Sequence, residues 1–434
     1  MSVNNKIEPV VIVGGGLVGG LCALLLAKAG VQAIILDAAP PLTANALQQR
    51  DARVWALSTA SIGLLKHVDV WRHVTRKADY YGMQVWTRDG FGMLDFGQTQ
   101  QDVPQHGNDL LGSMVEPSVL GLAIQQELTN QVKQYRTQVR VQRIEQLTDS
   151  WQITLSNGEC INTSLLIGAD GGNSLVRQAA GIGVDQLDYQ QVAITCAIRT
   201  EKPHQHIARQ IFLSTGPLAF LPMADVLPSD QRASQHLEPQ YTELQQADAQ
   251  GYWQSVVWTM PEQDAEEFKQ LSDVDFLAAI TKASGSMLGA VLEVQSRASF
   301  PLIAKQADRY VLPHLALIGD AAHVVHPLAG QGVNLGCLDA AVLVDSLLRD
   351  HERGLWAHFQ TLNRYETQRR SHNSLMMHSF SALGWLQAKR LRPIQWLRNE
   401  GLHVVAKNQL FLDKFTEQAS GQSAIKDTRY AHFS

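Results

Sequence analysis

Val10-Val11-Ile12-Val13-Gly14-Gly15-Gly16-Leu17-Val18-Gly19-Gly20 is the stretch on which the fold turns. Val10 to Val13 is an unbroken β-branched run, which suits a strand of a parallel sheet buried on both faces. Gly14, Gly16 and Gly19 then fit G-x-G-x-x-G, and Leu17 to Ala29 has helical composition before a natural stop at Gly30. Strand, glycine turn and helix start in this order bring backbone N–H groups and the positive end of a helix against a pyrophosphate. Ala33 to Leu36 repeats the strand pattern and ends at Asp37, 23 positions beyond Gly14. A carboxylate there can accept hydrogen bonds from a ribose. The predicted unit is βαβ.

The same run has a rival reading, because Pro9 to Ala27 carries no charge and approaches the length of a membrane span. Five glycines interrupt it, and Lys6, offset by Glu8, makes no basic leader for a signal peptide. A buried strand, turn and helix explain it better, so no membrane span is expected. Across 434 residues, 45% are hydrophobic and 18% charged, which excludes a disordered chain and allows a large core. With 36 basic against 41 acidic side chains the net charge is −5, so no overall field recruits nucleic acid. Cys22, Cys160, Cys196 and Cys337 form no CxxC pair, which fits a reducing compartment.

Two further stretches end a strand on an acid beside glycine. Leu165 to Gly171 (LLIGADG) leads into Asn173, Ser174 and Arg177, and Leu315 to Asp320 (LALIGD) leads into His323, His326, Pro327 and the loop Leu328 to Gly332. Leu335, Leu338 and Val342 then recur at helical spacing. A strand-end carboxylate suits sugar-like hydroxyls, and a glycine loop entering a helix suits partial negative charge. Zinc on His323 and His326 is disfavoured: no third ligand stands nearby, and no metal site is expected. Elsewhere, Ser58 to Lys66 and Leu120 to Gln134 read as helices. Asn157-Gly158 reads as a hairpin turn between Trp151–Leu155 and Cys160–Ile167. Residues 190 to 300 alternate as strands, with a loop expected from Ala224 to Gln250.

GGGLVGG (14–20), GADGGNSLVR (168–177) and GDAAHVVHPLAGQGVNLG (319–336), in this order, resemble the three FAD fingerprints of the group A flavoprotein aromatic hydroxylases. DARVWALS (51–58), Gly82 to Trp86, VEPS (115–118) and IRTEKP (198–203) make the chain similar to the ubiquinone-biosynthesis hydroxylases of that family, from about Ile7 to Arg370. The resemblance implies FAD, with Gly14, Gly16 and Gly19 at its pyrophosphate and Asp37, where the family usually has Glu, at the adenosine ribose. It implies Arg53 near the phosphates or ribose, Asp170 in a motif tied to FAD and nicotinamide, and Asp320 on the ribityl chain. Pro327, Gly330, Gly332 and Asn334 would line the isoalloxazine.

The implied chemistry is ring monooxygenation of a polyprenylated phenol or quinone precursor. NAD(P)H would be a transient donor, and O2 would react through a flavin C4a-hydroperoxide, with the cofactor carrying the hard step. No catalytic side chain is identified.

The fold expected is α/β: a Rossmann-like FAD-binding domain (1–80, 116–180 and 301–356), an inserted β-rich substrate domain (81–115 and 181–300), and a helical C-terminal tail (357–434). Two alternatives share the scaffold, a reductase of prenyl lipids and a non-catalytic FAD-binding subunit of a quinone-synthesis complex. A halogenase is disfavoured, because its WxWxIP signature is absent around Trp258-Thr259-Met260-Pro261. The expected location is the cytoplasm. Lys389, Arg390, Arg392 and Arg398 beside Trp385 and Trp396 read first as a solvated face on packed helices. Their second reading is contact with the inner membrane or with other ubiquinone-biosynthesis proteins.

Overall fold

The computed structural model describes residues 9–88, 93–97, 110–225, 252–325, 332–351, 353–355, 357–388 and 420–432. Val10–Val13 forms the centre of a six-stranded sheet, parallel to Leu165–Gly168 on one side and to Ala33–Leu36 on the other. Gln134–Arg136 extends the sheet beyond Ala33–Leu36, and Leu315–Leu317 extends it beyond Leu165–Gly168. Val311–Leu312 closes that edge antiparallel. Every residue of the three central strands is buried, as their unbroken apolar runs require. Helix Leu17–Lys28 packs against both Pro117–Gln131 and the long helix Gly332–His351. All three expected strand ends, at Asp37, Asp170 and Asp320, lie along one edge of this parallel sheet, where α/β folds bind ligands.

The second large layer is an eight-stranded sheet, built around two long antiparallel strands, Val184–Thr200 and Val291–Ala307. Helices Glu262–Gln270 and Asp273–Ala283 contribute Ala265, Phe276, Ile280 and Ala283 to the apolar cluster that contains Ile194, Cys196 and Val256 of the sheet. A separate three-stranded sheet joins Trp55–Ser58, Gly112–Val115 and Lys77–Tyr80. Val54, Ala56, Ala78 and Met114 from this small sheet and its approach cluster with Ala197, Ala208, Met223 and Trp253 of the large one. The result is a short apolar seam between the two layers.

Three expectations are corrected. The span 190–300, read as alternating strands outside one loop, also holds the helices Glu262–Gln270 and Asp273–Ala283, each opened by acidic residues in its first turn. The hairpin at Asn157-Gly158 forms, but its return strand stops at Thr163 rather than at Ile167. Thr163 Oγ1 accepts the Leu165 N–H at 3.1 Å and donates to the Pro9 carbonyl at 2.6 Å. This turns the chain out of the hairpin, so Leu165–Gly168 can join the parallel sheet. The helix expected over Leu120 to Gln134 runs instead over Pro117–Gln131. Pro117 opens it at a position where a missing N–H costs nothing, and Gln134 already belongs to the next strand. Helix Thr59–His67 starts as expected, capped by Ser58, whose Oγ accepts the Ser61 N–H. The expected loop from Ala224 to Gln250 lies almost wholly outside the described residues, as do His326, Pro327 and Gly330.

Candidate cofactor site

The three glycine-bearing segments meet one another pairwise. Gly14, at φ +105°, lies so near the second segment that a Cβ there would stand 2.2 Å from the Ala169 carbonyl oxygen. Gly19 is equally tight, since a Cβ would lie 2.0 Å from the Gly14 carbonyl oxygen. The third segment meets the first through Gly336, where a Cβ would be 2.6 Å from Val18 and 3.3 Å from the Gly319 Cα. Second and third are tied by Arg177, whose Nη1 donates to the Ala321 carbonyl at 2.7 Å and Nη2 to the Gly172 carbonyl at 2.9 Å. Arg177 is buried, and that burial lowers its pKa, partly opposed by Asp170.

Gly16 differs from its neighbours. A Cβ there would meet nothing within 4 Å, and no side chain caps the helix that begins at Leu17. An open glycine at an uncapped helix N-terminus is the cradle that a pyrophosphate fits. Asp37 stands behind it: one carboxylate oxygen accepts the Gly15 N–H at 3.1 Å and the other the Ala39 N–H at 2.9 Å. Each oxygen keeps a lone pair for a ribose hydroxyl.

Asp320 sits in the short 3-10 turn Gly319–Ala321 and reaches solvent. Protein nonetheless surrounds it closely enough that desolvation raises its carboxyl pKa, opposed by His323 and Arg53 and reinforced by Asp339. Such an acid is open to a ligand on one side and backed by protein on the other. Among the described residues no side chain or backbone group hydrogen-bonds its carboxylate, which leaves it for hydroxyls of a ligand. Arg53 is exposed beside it and lies 5.8 Å from the Phe300 ring.

Two of the expected residues also make contacts inside the protein. Asp170 Oδ2 accepts the N–H groups of Leu175 and Val176 at 2.7 and 3.1 Å, so it holds the start of the helix Leu175–Ala179. Asn334, expected to line the ring, is buried with its amide engaged inside the protein. Its Nδ2 donates to the Ala56 carbonyl, and its Oδ1 accepts from Ser58 N and Ser61 Oγ. Asn334 therefore locks the helix Gly332–His351 to the strand Trp55–Ser58. Gly332 is half-buried at the start of that helix, 3.6 Å from Val325 by its would-be Cβ. Arg177 and Asp339 were not among the expected site residues. The sequence signal for Arg177 was its place in the second motif, whereas nothing local marks Asp339.

Residues 8–379 match the family described as FAD binding domain. The chain belongs to the FAD binding domain family. Its relatives bear out the expected likeness to ubiquinone hydroxylases. It is 34% identical over 402 residues to 3-demethoxyubiquinol 3-hydroxylase of Escherichia coli K12, covering 92% of this chain and 94% of that one. It is 32% identical over 421 residues to ubiquinone hydroxylase UbiL of Rhodospirillum rubrum, covering 96% and 90%. The fold is that of p-nitrophenol 4-monooxygenase PnpA from Pseudomonas putida DLL-E4, with a TM-score of 0.70 at 16% identity over 95% of this chain and 97% of that one. FAD, the family's cofactor, fits the open Gly16 cradle and the partnerless carboxylate of Asp320.

Proposed function

We propose that this protein is an FAD-dependent monooxygenase that hydroxylates the aromatic ring of a polyprenylated phenol or quinone precursor in ubiquinone biosynthesis. The observation that carries this reading is the 34% identity to a hydroxylase of that pathway across 94% of its length. The pairwise meeting of all three glycine segments supports it. In this reading segments 1–80, 116–180 and 301–356 hold the cofactor, and 81–115 with 181–300 hold the substrate.

Each side chain then has a physical task. Gly14 and Gly19 let the turn close, and Gly16 and the helix start receive the pyrophosphate. Asp37 takes the adenosine ribose and Asp320 the ribityl hydroxyls, with the Arg53 charge beside Asp320. Asp170 shapes the second loop through Oδ2, and its Oδ1, buried without a partner among the described residues, is left for the cofactor. The start of helix Gly332–His351 faces the ring, where a helix N-terminus favours partial negative charge; Pro327 and Gly330, outside the described residues, keep the ring-lining role that the sequence resemblance implies. When bound, FAD would accept electrons from NAD(P)H and activate O2 for transfer to the substrate ring. The apolar cluster of Val54, Ala56, Met114, Met223 and Trp253 packs the small sheet onto the large one, and Asn334 ties it to the cofactor side through the Ala56 carbonyl. No described residue is assigned as a base.

No helix among the described residues is long and apolar enough to cross a membrane. We place the protein in the cytoplasm, with its tail meeting the inner membrane or another ubiquinone-biosynthesis protein through Lys389, Arg390, Arg392 and Arg398. These four residues lie outside the described ones. The test of the function is a purified yellow protein whose flavin is released by acid and whose NAD(P)H oxidation rises with a short-chain prenylated phenol. A colourless protein that takes up no FAD, or oxidation indifferent to the phenol, would overturn it.

A further inference from the structure

Behind the turn that carries Asp320 lies a charged cluster that the cofactor reading leaves unused. Asp339, on the helix Gly332–His351, is fully buried. Its Oδ2 accepts the Gly319 N–H at 3.1 Å and lies 2.5 Å from His323 Nε2. Its Oδ1 accepts from Arg369 Nε at 2.8 Å and Asn373 Nδ2 at 3.2 Å. Arg369, equally buried, donates onward to the Leu335 carbonyl and to Asn373 Oδ1. The Tyr310 ring sits 5.8 Å from the His323 ring. Burial alone would raise the Asp339 carboxyl, but His323 and Arg369 bring it down to about 2, so it is an anion at neutral pH.

A buried charge cluster of this kind is a weak source of stability, since well-packed apolar side chains often serve a core as well. What it does supply is fixed geometry. Its contacts fall on Gly319 and on His323, on either side of Asp320, while Arg177 holds the carbonyl of Ala321 between them. The turn is thus gripped at three points, and the Asp320 carboxylate stays outside the grip.

We infer that Asp339 and His323, braced by Arg369, are positioning residues that set the Asp320 carboxylate at its place in the cofactor cleft. This rests on the assignment of Asp320 to the flavin in the proposed function.

The test is a double-mutant cycle on FAD affinity, read by fluorescence quenching on refolded apoprotein, with circular dichroism to confirm that each variant is folded. His323→Leu should raise the FAD Kd about tenfold with Asp320 present, and less than about twofold in the Asp320→Ala background. His323→Gln, which can still donate to Asp339, should recover most of the affinity. Arg369→Lys keeps the charge but loses the fork, and it carries the same cycle with about a threefold effect should His323→Leu fail to fold. Equal weakening in both backgrounds would mean general loosening and would overturn the inference. An unchanged Kd for both His323→Leu and Arg369→Lys, with Asp320→Ala weakened, would overturn the inference alone. An unchanged Kd for Asp320→Ala would overturn the assignment of Asp320 and this inference with it.

Discussion

The Arg177 guanidinium bridges two loops that are far apart in sequence, donating to the Ala321 carbonyl at 2.7 Å and to the Gly172 carbonyl at 2.9 Å. Ala321 is fully buried, so its carbonyl has no water to fall back on. Removing the donor with Arg177→Met leaves a buried acceptor unsatisfied, which costs about 1–3 kcal/mol. The expected outcome is a lower denaturation temperature of the apoprotein together with weaker FAD binding. Unchanged values of both would show that the bridge is dispensable.

The glycines of the first motif should separate into two classes. Gly14→Ala and Gly19→Ala push a methyl group against backbone at 2.2 and 2.0 Å, and Gly14 also needs its φ of +105°. Both variants should fold poorly. Gly16→Ala meets nothing within 4 Å, so it should fold normally and yet lose FAD, because the methyl enters the space meant for the pyrophosphate. Soluble expression and flavin content of the three variants check this. Full flavin content in Gly16→Ala would remove the cradle from the account.

The two strand-end acids should also part company. Asp320→Ala should weaken FAD binding roughly tenfold or more, since hydrogen bonds to a charged group contribute about 1.5–3 kcal/mol each. Asp170 instead holds the N–H groups of Leu175 and Val176, so Asp170→Ala should cost about 1 kcal/mol of stability with a smaller loss of affinity. Titrations of both apoproteins with FAD make the comparison. Equal losses of affinity would contradict the division of labour.

How much of this was legible in the sequence depended on distance along the chain. Val10–Val13, the helix from Leu17 and Ala33–Leu36 are local patterns, and each formed where its composition placed it. The strand at Leu165 was misjoined to the hairpin because its true partner, Val10–Val13, lies far upstream and leaves no local mark. Asn334 reads as a ring-lining side chain by its place in a motif, whereas the partners of its amide, Ala56, Ser58 and Ser61, stand 273 to 278 positions upstream and leave no local mark. Nothing in the sequence around Asp339 marks it out. Its buried partners His323 and Arg369 come from two other elements, so only folding reveals the cluster.

Acid should destabilise the protein partly through His204. Burial, then the neighbouring His206 and Arg209, lower its pKa from 6.5 to about 3. The unfolded chain therefore takes up this proton first. His204's contribution to stability is complete above about pH 6.5 and is lost as pH falls from there toward 3, by at most about 1.4 kcal/mol per pH unit. His204→Gln should flatten the fall of the denaturation temperature across that window. Identical slopes for the variant and the parent protein would show that His204 is not the group responsible.

The central claim is that oxygen from O2 ends up on the ring of a prenylated phenol. Purified protein reconstituted with FAD, supplied with NADH or NADPH and a short-chain prenylated phenol under 18O2, tests it directly by mass spectrometry of the product. The account predicts one 18O atom per hydroxylated ring, with pyridine nucleotide oxidised in step with oxygen uptake. A hydroxylated product without label, or a reduced prenyl chain formed without oxygen uptake, would contradict it.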